Sequence, residues 1–288
     1  MHSRRKLKTM KIITPISEMQ SLADSLRARG RTIGFVPTMG FLHDGHLSLM
    51  DRARQSCDTV VASIFVNPTQ FGPMEDFERY PRDEEGDRKK CEASGVDVLF
   101  MPTVAEMYPE KPSVFVVVEG VSDVLEGAVR PGHFRGVATV VNKLLNIVKP
   151  HRVFFGQKDY QQCAVIKRMV AGLNLDAEVV VMPTIREKDG LAMSSRNSYL
   201  NAEERRKAAV ISRALFAAKE LAASVKEPEK LKNKIEAVLL EEKGISIDYI
   251  EIAHPESLAP VNSVTNKMVL LVAVRIGSTR LIDNLLIL

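Results

Sequence analysis

The sequence lacks several features that mark special classes of protein. It contains no Trp and only 3 Cys, and no apolar run approaches the roughly 18 residues that a membrane-spanning helix needs. The cysteines, Cys57, Cys91 and Cys163, lie far apart and form no CxxC pair. Neither a membrane protein, nor a disulfide framework, nor a cysteine zinc site is therefore predicted.

The chain also lacks a strong excess of one charge. Its 40 Lys and Arg face 36 Asp and Glu, but residues 1–11 hold five basic residues and no acidic one, which leaves 35 basic against 36 acidic residues elsewhere. No basic face for nucleic acid is therefore expected. The N-terminal stretch has no apolar signal-peptide segment, so we expect a cytoplasmic protein. We expect residues 1–9 to be dispensable for activity.

What is present is an ordinary globular composition, with 45% hydrophobic and 26% charged residues among 288. This length predicts about two domains. Short Val/Ile/Phe runs alternate with amphipathic segments, which predicts a parallel sheet covered by helices on both faces. We predict a Rossmann-like, doubly wound α/β domain over residues 10–184 and a smaller α+β lid domain over residues 185–288.

The predicted elements follow from periodicity and from Gly and Pro punctuation. Strands are predicted at 11–13, 32–36, 60–66, 96–100, 152–155, 178–182, 247–252 and 268–275, and helices between Pro15 and Gly30, from Leu47, and at 84–94, 139–148, 160–171, 202–223 and 229–242.

The first motif, His43-Asp44-Gly45-His46, follows the second strand and opens a helix. A helix N-terminus offers unpaired N–H groups and partial positive charge, and two imidazoles add donors, so this position suits a phosphate group. Gly40 and Gly45 let the backbone approach a nucleotide closely. The plainer interpretation is a capped helix start with two surface histidines. A metal site is not indicated, because no third ligand has suitable spacing.

The second motif, residues 156–162, lies between a strand end and a helix. Ligands of open α/β sheets bind beyond the carboxyl ends of the strands, so this loop is predicted to face the same crevice as the first motif. Lys158 would contact phosphate, and Asp159 would orient the lysine or a metal ion. A Lys-Asp pair in a loop is also commonly a solvated ion pair.

The third motif, Met193-Ser194-Ser195-Arg196-Asn197, comes just after the first predicted domain. Two hydroxyls and a guanidinium in a flexible segment predict a mobile phosphate clamp. The alternative is a serine N-cap for the following helix. The three motifs at suitable places on one sheet are more specific than any of them alone.

The first and third motifs resemble the HIGH-type signature and the second signature of the nucleotidyltransferase superfamily. With the further motifs, the chain from Met10 onward resembles the pantoate–β-alanine ligase family; these motifs are residues 37–46, 65–71, 132–136, 156–162 and 192–196. Gln157 departs from the pattern, because the family usually has Glu there, while Lys158 and Asp159 match.

The resemblance implies ATP-dependent joining of pantoate to β-alanine through an enzyme-bound pantoyl adenylate, with release of AMP and pyrophosphate. A carboxylate resists attack by an amine, whereas its mixed anhydride with AMP carries a good leaving group. Pantoate is already ionised near neutrality, so the first step needs no general base. The resemblance also implies Mg²⁺ and a homodimer.

The site residues carried over from the family fall into three sets. The catalytic candidates are His43, His46, Lys158, Ser194, Ser195 and Arg196, which would contact the phosphates or close over the leaving group. Those implied for ATP binding are Met39, Gly40, Phe41, Leu42, His43, Asp44, Gly45, His46, Gly156, Gln157, Lys158, Asp159, Ile185, Met193, Ser194, Ser195 and Arg196. Those implied for pantoate or β-alanine are Gln70, Gln162, Asn67, Arg130 and His133, with Met39 and Phe71 as apolar walls. The sequence identifies neither metal ligands nor the base that deprotonates β-alanine.

Two other functions stay open on sequence alone. One is a different HIGH-type adenylyltransferase that leaves a nucleotide on its product; pantoate-dependent release of AMP would separate the two. The other is an RNA-binding module derived from a synthetase. That module predicts a basic face with aromatics, against which stand the absence of Trp and the presence of only 5 Tyr.

Overall fold

The structure, a computed structural model, describes residues 9–73 and 75–287; most of the basic N-terminal stretch, residues 1–8, lies outside the described residues. By its contacts the chain divides into two compact units. Unit 1 comprises the described residues up to Gly156 and Val165–Met182, and unit 2 comprises Gln157–Ala164 and the chain from Pro183 onward. Segment 157–164 thus groups with unit 2. The division into functional domains after residue 184 stays a prediction.

Unit 1 contains the predicted parallel sheet, and all its strand pairs are parallel. Its six strands are β1 (Lys11–Ile13), β2 (Ile33–Thr38), β3 (Thr59–Ile64), β4 (Val98–Phe100), β5 (Arg152–Gly156) and β6 (Glu178–Met182). The spatial order is β1-β4-β3-β2-β5-β6, which places β2 between β3 and β5. The loops after these three central strands carry site candidates.

The helices alternate with the strands in the first part of the chain, as the periodicity predicts. They are α1 (Ile16–Ala28), α2 (Asp44–Ser56), α3 (Glu84–Ala93), α4 (Val104–Met107), α5 (Glu126–Val129), α6 (His133–Val148), α7 (Tyr160–Gly172), α8 (Ala202–Ala208), α9 (Val210–Ala222) and α10 (Pro228–Leu239). Short 3₁₀ turns span Pro68–Gln70, Gln157–Asp159 and Ser195–Tyr199. Within the described chain, no helix is both long and apolar enough to cross a bilayer.

Helix α6 begins at His133 and not at Thr139, where its apolar periodicity starts. Gly136 lies in the added turn, and a Cβ there would lie 2.2 Å from the backbone oxygen of Thr69. The glycine lowers helix propensity but lets the helix touch the turn after β3. The close approach joins α6 to the loop that carries Asn67 and Gln70.

Helix α2 packs one face on the sheet of unit 1 through Leu49, Met50 and Ala53, all of which are buried. This cluster includes residues of the central strands, among them Val36, Ala62 and Phe154. The apolar face fixes the body of α2, while its N-terminus follows the loop at the carboxyl end of β2.

Unit 2 contains helices α8 to α10 and an antiparallel sheet. The sheet has three strands in the order β7-β8-β9, namely β7 (Ile245–Ala253), β8 (Met268–Ile276) and β9 (Thr279–Ile287). The sequence predicts only the first two strands and one continuous helix over 202–223. The structure divides that helix at Ala209 and adds β9 through a tight turn at Gly277, where φ is +56°.

Candidate active site

The N-terminus of α2 presents two imidazoles within one turn. His43 is the N-cap and its Nδ1 accepts from the backbone N–H of Gly45 at 3.2 Å, while Nδ1 of His46 accepts from the N–H of His43 at 3.3 Å. The ring centroids lie 4.1 Å apart. The two side chains form a reciprocal capping box built from histidine, which fixes both rings at the start of the helix.

These hydrogen bonds also fix the neutral tautomers. Because each Nδ1 accepts, each neutral ring carries its proton on Nε2. An Nε2–H donor beside the positive end of a helix dipole is suited to a phosphate oxygen. The arrangement can therefore stabilise negative charge without taking up a proton.

The loop before α2 has an unusual backbone and a partner on α3. Gly40 has φ +85° and Phe41 has φ +50°. The carboxylate of Asp87 accepts from the backbone N–H groups of Phe41 and Leu42, both at 2.7 Å. Burial raises the pKa of Asp87, and these two N–H donors and the nearby Lys90 ammonium lower it only in part.

The turn after β3 holds an amide pair. Nδ2 of Asn67 donates to Oε1 of Gln70 at 3.1 Å, and Nε2 of Gln70 lies 3.1 Å from the sulfur of Met39. The hydroxyl of Tyr108 donates to Oδ1 of Asn67 at 3.0 Å. Since Oε1 is already an acceptor, Gln70 directs its amide N–H groups toward Met39 in the loop before α2. Gln70, a substrate candidate, and Met39, an ATP candidate, are thus neighbours.

Arg130 and His133 both have protein partners. Arg130 forms a bidentate ion pair with Glu75, at 2.7 and 2.6 Å, and its Nη1 lies 3.1 Å from Nε2 of His133. Nδ1 of His133 lies 2.8 Å from the backbone oxygen of Gln70. Burial opposes ionisation of Glu75, but the hydrogen bonds and charge of Arg130 prevail and hold its pKa below the usual value. Burial and the neighbouring guanidinium lower the pKa of His133 to about 4, so it is a neutral donor to Gln70.

In unit 2 the Lys158 segment is held by an amide. Asn284, on β9 and only 1% exposed, donates from Nδ2 to the backbone oxygens of Gln157 and Lys158, each at 2.9 Å. Its Oδ1 accepts from Nε2 of Gln157 at 3.2 Å. Glutamine at 157 therefore supplies a donor that a glutamate would lack. Nζ of Lys158 lies 3.3 Å from Asp159, so the predicted ion pair is present.

The third motif forms a short turn. Ser194 caps the 3₁₀ turn Ser195–Tyr199, and its Oγ accepts from the N–H of Arg196 at 3.3 Å. The alternative of a serine cap is thus realised, but for this turn and not for α8, which Asn201 caps. Met193 donates its N–H to the oxygen of Ile185 at 3.0 Å, so these two ATP candidates are paired.

The remaining candidates are placed as follows. Gly156 ends β5, and Gln162 lies in the first turn of α7 within unit 2. Phe71 lies in an aromatic group, 5.4 Å from Phe77 and 6.1 Å from Tyr80 by ring centroids. The shared crevice of the first two motifs and the pairing of Gln70 with Gln162 stay predictions.

No group of three or more metal-binding side chains occurs in residues 9–73 and 75–287. The described side chains therefore do not form a cage of protein ligands around a cation. This arrangement is compatible with Mg²⁺, which commonly binds through substrate phosphates and one or two carboxylates. Asp159, about half exposed beside Lys158, is a carboxylate of the suitable kind.

Sequence reasoning missed the groups that hold the candidates in place. These are Asp87, Lys90, Glu75, Tyr108 and Asn284. One local signal was available: Asp87 and Cys91, four residues apart, are the buried residues of an otherwise charged helix. An acid on the buried face of a helix calls for a partner, but the sequence does not say which one.

Comparisons with known proteins agree with the resemblance. A family model described as pantoate-beta-alanine ligase matches residues 11–286. The chain is 51% identical over 282 residues to pantothenate synthetase of Acetivibrio thermocellus, covering 96% of this chain and 99% of that protein. It is 54% identical over 276 residues to pantothenate synthetase of Pelotomaculum thermopropionicum, covering 96% of this chain and 98% of that protein.

Two solved structures are similar in fold and in sequence. Pantothenate synthetase from Thermus thermophilus matches with a TM-score of 0.91 and 48% identity, covering 96% of this chain and 99% of that one. Pantoate-beta-alanine ligase from Francisella tularensis, crystallised with "Beta-gamma ATP and Beta-alanine", matches with a TM-score of 0.81 and 37% identity, covering 96% and 98%.

Proposed function

We propose that this chain, a member of the pantoate–β-alanine ligase family, works through a pantoyl adenylate. It is a ligase that joins pantoate to β-alanine with ATP. The pantoate carboxylate attacks the α-phosphorus of ATP and pyrophosphate leaves. The amine of β-alanine then attacks the acyl carbon, AMP leaves, and the amide forms. The nitrogen loses a proton in this second step.

One observation supports the first half-reaction above all: two imidazoles at the N-terminus of α2 accept at Nδ1. In this tautomer they donate from Nε2 to phosphate oxygens as charge develops. His46 acts as a stabiliser of the transition state, not as an acid, since pyrophosphate can leave as an anion paired with cations.

Unit 2 supplies the longer cationic and hydroxyl groups. Lys158 contacts the phosphates of ATP, and Ser194, Ser195 and Arg196 bind the leaving pyrophosphate. Mg²⁺, when bound, would neutralise part of the negative charge of the phosphates. Asp159 is the residue we assign to orient Lys158 or to approach that cation.

Gln70 and Gln162 bind the hydroxyls and carboxylate of pantoate, with Met39 and Phe71 against its methyl groups. The contacts of Gln70 support this assignment, because Asn67 occupies its oxygen and turns its N–H groups toward Met39. Asn67, Arg130 and His133 contribute to the substrate site through their hold on the 67–70 turn. Their direct contact with β-alanine stays a prediction.

A homodimer is the assembly we propose, and one segment of unit 1 favours it. Residues 113–118 read Ser-Val-Phe-Val-Val-Val, and the exposed side chains include Val114 at 80% and Val117 at 60%. Exposed runs of β-branched residues are surfaces on which another chain can pack. Val117→Glu should shift the protein from dimer to monomer in sedimentation. A monomeric wild type would refute the assembly.

We also propose a cytoplasmic location, in keeping with three free, buried cysteines.

Isotope exchange tests the adenylate directly. Pantoate alone should support exchange of labelled pyrophosphate into ATP, because the first half-reaction is separate and reversible; β-alanine alone should not. The complete mixture should release AMP in proportion to the amide formed. Exchange that requires the amine would contradict a separate adenylate, and a product that keeps the nucleotide would indicate a different adenylyltransferase.

A further inference from the structure

The loop that leads from β2 into α2 is bound by side chains of α3. Both carboxylate oxygens of Asp87 are used: Oδ2 accepts from the N–H of Phe41 and Oδ1 from the N–H of Leu42, each at 2.7 Å. Asp87 is 1% exposed. One turn further along α3, Nζ of Lys90 donates to the backbone oxygen of Leu42 at 2.7 Å. Three charge-assisted hydrogen bonds thus hold three consecutive peptide groups, those between Gly40 and His43.

The bound loop adopts a backbone that its own sequence disfavours. Phe41 has φ +50°, a left-handed conformation in which a side chain with Cβ is sterically costly. Gly40 has φ +85°, and a Cβ there would lie 2.9 Å from Oδ2 of Asp87. Such strain persists only where the surroundings impose it. Here the hydrogen bonds from Asp87 and Lys90 of α3 hold the loop in this conformation.

Leu42 directly precedes His43, so the loop geometry sets where the first turn of α2 begins. The apolar contacts of Leu49, Met50 and Ala53 fix the helix body but act one turn or more beyond the histidines. From these contacts we propose that Asp87, assisted by Lys90, is a positioning residue that aims His43, His46 and the α2 N–H groups at the ATP phosphates. The proposal rests on the phosphate-binding role assigned to α2 above.

A structural role alone accounts poorly for this carboxylate. Burying an acid is unfavourable unless its partners fully compensate, and an apolar residue would pack on the buried face of α3 without that penalty. Unit 1 also offers a second carboxylate that accepts from a backbone N–H group, the partly exposed Asp97, which accepts from the N–H of Val60 at 2.8 Å and pairs with Arg54. Asp97 directly precedes β4 and so lies at the amino end of the parallel sheet, whereas the α2 loop follows the carboxyl end of β2.

The test compares Asp87→Asn with Asp97→Asn. The first change keeps the size of the side chain but turns one acceptor into an NH₂ group that faces a backbone N–H. We expect about a 30-fold loss of pantoate-dependent pyrophosphate exchange at saturating ATP and pantoate. Asp97→Asn changes a carboxylate that also accepts from a backbone N–H group, and this variant should stay within threefold of wild type. Both should lower the melting temperature by a similar amount.

Two further variants probe the mechanism of positioning. Phe41→Gly makes the left-handed conformation inexpensive, so the loss caused by Asp87→Asn should shrink at least threefold when both changes are combined. Lys90→Met removes the third hydrogen bond and should slow exchange about fivefold. If Asp87→Asn does not fold, Lys90→Met decides, and a rate within twofold of wild type then overturns the proposal.

A readout independent of activity comes from the histidines. The ¹⁵N resonances of His43 and His46 in the unliganded protein report the two Nδ1 acceptor contacts. They should move in Asp87→Asn and not in Asp97→Asn. Unchanged resonances together with exchange within threefold of wild type would overturn the positioning role. An active His46→Ala would instead refute the function proposed for α2, whatever Asp87→Asn does.

Discussion

The phosphate-binding candidates of the two units are held in place by opposite chemistry. In unit 1 a buried carboxylate, Asp87, accepts from two backbone N–H groups of the loop before α2. In unit 2 a buried amide, Asn284, donates to two backbone oxygens of the Lys158 segment. The first loop is bound through its donors and the second through its acceptors.

The difference follows from what each segment presents. Lys158 carries a full positive charge, and a carboxylate in the place of Asn284 would compete with phosphate for that charge, whereas a neutral amide does not. The α2 loop presents N–H groups and imidazoles whose Nδ1 atoms accept hydrogen bonds, and the charge of Asp87 is balanced locally by Lys90. Unit 1 thus offers short, rigid donors, and unit 2 offers long cationic side chains on turns.

The largest effects should come from deleting one donor of each kind. His46→Ala and Lys158→Ala should each slow adenylation at least ~10²-fold, because a preorganised donor to developing charge contributes about 3–4 kcal/mol. Pyrophosphate exchange measures the rate, and circular dichroism checks the fold. The controls are His254→Ala and Lys167→Ala, which should keep the wild-type rate.

The two sites should respond differently to conservative substitutions. The side chain of asparagine is too short to reach the position of Nε2 of His46, so His46→Asn should recover little. Lys158→Arg keeps the charge on a flexible side chain and should recover part of the activity. Either alanine variant retaining more than about a tenth of wild-type turnover would contradict its assigned phosphate contact.

The next largest effect concerns pantoate. Gln70→Leu keeps most of the side-chain volume but leaves buried substrate groups unpaired, at about 1–3 kcal/mol for each group. The pantoate concentration for half-maximal exchange should rise about 10- to 100-fold. ATP binding, measured by calorimetry without pantoate, should barely change. An equal loss for both ligands would place Gln70 in the framework of the site and withdraw it from the pantoate pocket.

The sequence predicted most of the fold because its signals are local. Each of the six parallel strands coincides with a short run rich in Val, Ile or Phe, and the helices between the strands have clear periodicity. Strand β9 was missed because Asp283 and Asn284 interrupt its apolar alternation, although both are buried in the sheet. Asp283 is paired there with Arg186 at 2.6 Å, a partner 97 residues away. Long-range pairing of this kind leaves no local pattern.

The site divides in the same way. Groups that would touch substrate sit in motifs such as 43–46 and 156–162, which are recognisable because each lies at a strand end. The groups that hold them come from distant parts of the chain: Asp87 is 46 residues from Phe41, and Asn284 is 127 from Gln157. Tertiary folding alone brings such pairs together, so their roles can be inferred only from the structure.

A smaller effect should come from reversing the amide of unit 2. Asn284→Asp keeps the shape but faces two backbone oxygens with a carboxylate, so both hydrogen bonds to the Lys158 segment are lost. We expect adenylation to fall about tenfold, since small misplacements of a catalytic group are costly. The loss should be greater at low ionic strength, where the new charge attracts the Lys158 ammonium more strongly. A loss independent of salt would remove charge competition as the reason for an amide here.

The last prediction concerns stability and not activity, and it tests how unit 1 holds Gln70. His133 is kept neutral by burial and by Arg130, with a pKa of about 4 against an ordinary 6.5. Above pH 6.5 the ring is neutral in both folded and unfolded chains. Between pH 6.5 and 4 only the unfolded chain takes up the proton, so the free energy of unfolding should fall by up to about 3 kcal/mol. His133→Asn keeps a donor near the position of Nδ1 and cannot titrate, so urea unfolding at pH 7 and pH 4.5 should show a smaller decline than in wild type. An equally steep decline in His133→Asn would mean that His133 is already charged in the folded protein, and the neutral donor to Gln70 would be wrong.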